Sequence, residues 1–136
     1  MIRGMPVVVA IANTNEDIIE LLRMVMEREG FVTAGFHLAD IKDRRIDFND
    51  FLEQHDPAAI IFDIPPPYEE YWTLVSSLRL LPSMQSRGVV ITSTDKVHLE
   101  RRVGSTEAME FVGKPNDTQD VVEAVKRELR RVGRLD

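Results

Sequence analysis

The apolar positions of this chain switch repeatedly between two periods. Residues 6–12 (PVVVAIA) are continuously apolar and β-branched, the pattern of a strand buried on both faces. A polar turn, NTNED, follows, and then Ile18, Leu21, Leu22, Val25 and Met26 fall at helical spacing. Thr14 with Asp17 three residues on predicts a capping box. Glu16 and Asp17 suit the positive end of the helix dipole, and Gly30 suits the helix stop. Residues 31–36 (FVTAGF) predict a second strand, and Phe48, Phe51 and Leu52 a second helix face. Between them DIKDRRID reads as a loop or a solvated helix start. Residues 58–64 (AAIIFDI) predict a third strand, and residues 68–81 a helix with Trp72, Val75, Leu78 and Leu81 inward. Residues 88–94 (GVVITST) predict a fourth strand, 95–103 a short helix ending at Gly104, and 108–115 (AMEFVGKP) a fifth strand. A last helix over 116–132 turns Val121, Val122, Val125, Leu129 and Val132 inward, with Asp117 or Thr118 as its cap.

Strands alternating with helices imply right-handed crossovers and a parallel sheet covered on both faces, an α/β doubly wound (βα)5 architecture. No repeat, low-complexity tract or linker divides residues 1–136, so one domain is expected. In such sheets ligands and chemistry gather at the carboxyl ends of the strands, near the switch point between the first and third. The sequence delivers there Asn13, Thr14 and Asn15 from the first strand, Asp63 from the third, Ser93 and Thr94 from the fourth, and Lys114 with Pro115 from the fifth.

Composition narrows what this site can do. The net charge of −6 argues against broad nucleic-acid binding, which needs a basic face. The chain has no cysteine, which excludes disulfides, thiolate chemistry and cysteine-ligated zinc. His37, His55 and His98 show no ligand spacing. No apolar run approaches membrane-spanning length and the N-terminus lacks a signal pattern, so a cytoplasmic location is expected. A carboxylate, a hydroxyl and an ammonium converging in one cleft suit an acyl phosphate. The phosphorylated carboxylate gains negative charge, which lysine can pair with and a hydroxyl can donate to. The bland readings stand beside this one: Asp63 as a turn cap, Lys114 as its salt-bridge partner, Ser93 as an ordinary strand-end hydroxyl.

Several motifs together resemble the receiver domain of bacterial two-component response regulators, across nearly the whole chain. FDIPPP is similar to the family's third-strand motif, with Asp63 and then Pro67 four residues on. VGKP is similar to the fifth-strand lysine–proline pair at Lys114 and Pro115, and EDIIELLRMVMEREGF looks like a receiver first helix running into the second strand. The resemblance implies a flavodoxin-like receiver fold with strand order 2-1-3-4-5. It implies Asp63 as phosphoacceptor, Lys114 beside it, Ser93 and Phe111 as switch residues, and a cis bond before Pro115. It also implies Mg²⁺ as the cofactor, held by Asp63 and an acidic pair after the first strand. Here Asn13 and Thr14 stand in the places of that pair, so Mg²⁺ binding is expected to be weak or absent. Tyr71 and Gly113 also depart from the family pattern, at a common glycine and a common small hydroxyl residue.

The implied partner is a sensor histidine kinase or another signalling protein. A homodimer through the face of the fourth helix, fifth strand and last helix is open, and direct nucleic-acid or membrane binding is not expected. With the last helix closing the pattern, no output segment and no enzymatic activity are expected within these residues, which suit a stand-alone protein and an excised domain of a larger one equally. One alternative is a pseudo-receiver that works by phosphorylation-independent protein binding. Another is a flavodoxin-like ligand carrier or enzyme, disfavoured because NTNED offers no glycine-rich phosphate loop.

Overall fold

In the computed structural model, residues 6–93 and 118–135 are described in full and residues 110–112 by their backbone. Five parallel strands lie in the order β2-β1-β3-β4-β5. They are β1 (Val8–Asn13), β2 (Val32–His37), β3 (Ala59–Ile64), β4 (Gly88–Ser93) and β5 (Glu110–Val112). The described helices, labelled in chain order, are α1 (Glu16–Arg28), α2 (Leu38–Lys42), α3 (Phe48–His55), α4 (Tyr68–Arg79) and α5 (Thr118–Arg131), with a 3-10 turn at Pro82–Met84. The expected strand order is therefore present, and the switch point lies between β1 and β3.

Strand periodicity divides the core. Ile60, Phe62 and Ile64 join Phe36, Leu38, Phe48, Phe51, Tyr71 and Val75 on the face covered by α2, α3 and α4. Ala59 and Ile61 join Val9, Ile11, Leu22, Met26, Val121, Val125 and Leu129 on the face covered by α1 and α5. All six residues of β3 and of β4 are buried, as continuous apolar runs require, while the edge strand β2 alternates.

Local chemistry corrects several expectations. The N-cap of α1 is Asn15, not Thr14: the Asn15 carboxamide accepts from the backbone N–H groups of Asp17 and Ile18. Thr14 instead turns its hydroxyl to Asn13. At the other end Gly30, at φ +93°, lets Phe31 N–H reach Met26 C=O and Gly30 N–H reach Glu27 C=O, a Schellman stop. The buried stripe of α1 is Ile19, Leu22 and Met26, whereas Leu21 is 39% exposed. Helix α4 ends at Arg79 and buries Tyr71 with Val75 and Leu78; Trp72 and Leu81 are only partly buried. Part of DIKDRRID is helical after all, in α2, because Leu38 and Ile41 find the core between them. The helix expected over 95–103, the Asp117 cap and the bond before Pro115 lie outside the described residues; the cis bond observed is Pro66–Pro67.

Candidate functional site

Asn13 ends β1, and Asp63 and Thr92 lie one residue before the carboxyl ends of β3 and β4. The same alternation that sends Val9, Ile11, Ala59, Ile61 and Val90 to the α1–α5 face sends these three polar residues there. Register completes the placement, because Asp63 lies directly opposite Thr92. Asp63 is 6% exposed, and each of its oxygens is taken. Thr92 donates its hydroxyl to one at 2.5 Å, and the Asn13 carboxamide donates to the other. Burial pushes the Asp63 carboxyl above its usual range, and the bonds from Thr92 and Asn13 oppose that rise.

The orientation of Asn13 is forced. Its carboxamide oxygen faces the backbone N–H groups of Thr14 and Asn15, the latter at 3.0 Å. Those groups can only donate, so the oxygen must face them and the NH2 must face Asp63. Asn13 thus meets the carboxylate with a donor, and its own acceptor is already engaged. A hard cation wants oxygen ligands, usually with one or two carboxylates among them. Of the site residues described, only Asp63 offers one. Among the described residues no group of three or more His, Asp or Glu side chains is placed to hold a metal ion. The residues present do not fit Mg²⁺.

The acidic residues nearest in sequence are committed elsewhere. Glu16 pairs with His37 at 2.6 Å, and Asp17 sits in the first turn of α1. On the α4 side, Lys42 pairs with Glu70 and lies 5.3 Å from the centre of the Tyr71 ring. His55 packs at a tilt against Phe51, with ring centres 4.5 Å apart.

Of the residues singled out in the sequence, Asn13, Asp63 and Ser93 are described with their side chains and all are buried; Thr14 is half-buried beside them. Ser93 ends β4 opposite Ile64. Phe111 lies in β5 opposite Ile91. Thr94, Lys114 and Pro115 lie outside the described residues. The residue that sequence reasoning missed is Thr92. The signal lies in the alternation, since counting by twos from Val90 puts Thr92 on the Asp63 face, while the hydroxyl at family spacing is that of Ser93.

No family model matches the chain, and no curated protein matches it significantly. Solved structures do. A sensor protein from Polaromonas sp. aligns with TM-score 0.76 at 20% identity, over 93% of this chain and 98% of that one. The signal receiver domain of a signal transduction histidine kinase from Syntrophus aciditrophicus aligns with TM-score 0.70 at 21% identity, over 95% and 94%. A response regulator receiver protein from Sinorhizobium medicae gives 0.69 at 15%, over 93% and 97%. The chain therefore has the receiver fold, and its structural neighbours are receiver domains.

Proposed function

We propose that this chain is a receiver-fold signalling module that acts by binding another signalling protein, independently of phosphorylation at Asp63. One observation carries the reading: the Asp63 carboxylate is closed off by two neutral donors, Asn13 and Thr92, where phosphoryl transfer needs a metal ion and an open oxygen. A phosphoryl group would have to displace the Asn13 bond and would find no acidic pair to hold its counter-ion. Without that ion, little is left to drive a conformational switch, which needs about 5.5 kcal/mol of differential stabilisation to be near complete.

A second reading keeps Asp63 as phosphoacceptor. Its support is position: a carboxylate at the end of β3, at the switch point, with a threonine hydroxyl in contact. In that case a sensor histidine kinase is the partner and Lys114 and Ser93 assist.

Titration of the isotope-labelled chain with Mg²⁺, followed by amide NMR, separates the two. The first reading expects no saturable shift at Asn13, Asp63 or Thr92 at millimolar Mg²⁺. Saturable shifts centred on those residues would support the second.

A further inference from the structure

The opposite end of the sheet carries a feature that the Asp63 site does not use. Helices α4 and α5 run against the strands, so their carboxyl ends come down beside the start of β4. Arg79 ends α4, Arg131 ends α5, and Arg87 immediately precedes β4. These three arginines line one cavity of about 130 Å³, with Gln85 at its rim and Met84 and Val89 in its walls.

Two of the three are balanced. Arg87, whose side chain is 13% exposed, bonds Asp56 at 2.8 Å and the carbonyl of Pro57. Arg131 grips Glu128 with two bonds of 2.8 and 2.9 Å, and the buried Glu128 also accepts from Val89 N–H. Arg79 is different. Its Nε is buried and has no hydrogen-bond partner, and no ion pair to it is found among the described residues. Among the described residues, Arg79 therefore brings to the cavity a positive charge that no carboxylate balances. The carboxyl ends of α4 and α5 take back part of that field.

We infer that this cavity is a binding site for a phosphate-class oxyanion, with Arg79 as its principal donor. Guanidinium groups approaching from three separate elements suit a tetrahedral acceptor, and the planar fork of arginine matches its oxygens. The volume is enough for one such group, either free phosphate or the head of a small phosphomonoester. The site lies at the far end of the sheet from Asp63 and does not depend on what happens there.

The test is a titration of the labelled chain with inorganic phosphate and, separately, glycerol phosphate, at ionic strength held constant with sodium chloride. Saturable shifts are expected at the Arg79 side-chain N–H and at the amides of Leu80, Gln85 and Val89. Arg79→Gln should weaken binding about tenfold or more, and Arg130→Gln should leave it unchanged. Should Arg79→Gln lose spectral dispersion, Arg79→Lys keeps the charge without the planar fork and should also bind more weakly. Tighter binding of glycerol phosphate would identify a phosphorylated small molecule as the ligand class, and equal binding would identify free phosphate. Unsaturable drift that sodium chloride reproduces, or unchanged affinity in folded Arg79 variants, would overturn the assignment.

Discussion

At Asp63 burial and hydrogen bonding pull in opposite directions, and burial wins, so the folded carboxyl holds its proton more tightly than the unfolded one. The linkage sign follows. Between the ordinary carboxylate pKa and the raised folded one, the native state binds more protons, so stability falls as pH rises through that window. Asp63→Asn should therefore raise the unfolding midpoint at neutral pH by a few degrees, roughly, with the gain shrinking as pH drops towards 4. Thermal unfolding of both proteins across that range checks it; a gain that grows on acidification would contradict the assignment. Asparagine fits because it can accept from Asn13 and donate to the Thr92 hydroxyl. The converse change concerns the metal. Asn13→Asp with Thr14→Asp returns two carboxylates to the site and should produce saturable Mg²⁺ binding where the parent shows none, at the cost of a less stable metal-free protein. Calorimetric titration reads the first effect and thermal unfolding the second. Asp63 and Asn13 were legible in the sequence as strand-end residues. Their mutual contact was not, because only the β1–β3 register brings residues 13 and 63 together.

At the scale of elements, a buried carboxylate adds to the apolar stripe of α5 in holding that helix to the sheet. Glu128 is 3% exposed and satisfies both Val89 N–H and Arg131. Glu128→Ala should cost about 1–3 kcal/mol in urea unfolding, since it leaves a buried donor unmet at the foot of β4. The helix lies close at the same point: a Cβ on Gly88 would come within 2.8 Å of the Glu128 Cβ and 3.3 Å of the Ala59 Cβ. Gly88→Ala should destabilise by about 1–3 kcal/mol through overpacking, and a neutral result would show that α5 can shift outward. The sequence announced α5 by its apolar spacing but hid this contact, because a glutamate among arginines reads as a solvated face. The first helix shows the same kind of limit. Its existence and its Gly30 stop were plain, yet the cap belonged to Asn15 and the buried stripe included Ile19 in place of Leu21. A shift of one residue rotates a helix face by about 100°, and packing against the sheet and α5 decides it.

At the scale of the whole molecule, the two apolar layers share the buried strands β1, β3 and β4, so neither can open without exposing the other. Unfolding should be a single transition, with calorimetric and van't Hoff enthalpies in agreement; two resolved transitions would show the layers to be separable. The alternating strand–helix pattern and the parallel sheet were legible from the periods, whereas the strand order was implied by the resemblance to receiver domains. Among the described residues no helix is long and apolar enough to cross a membrane. The proposal is that Asn13 closes Asp63 to phosphoryl transfer in this receiver fold. The most direct measurement is the intact mass of the protein after incubation with acetyl phosphate, with and without Mg²⁺, with Asp63→Asn as control. An unchanged mass in every condition is the predicted result. A Mg²⁺-dependent phosphoryl adduct on the parent, absent from Asp63→Asn, would contradict it.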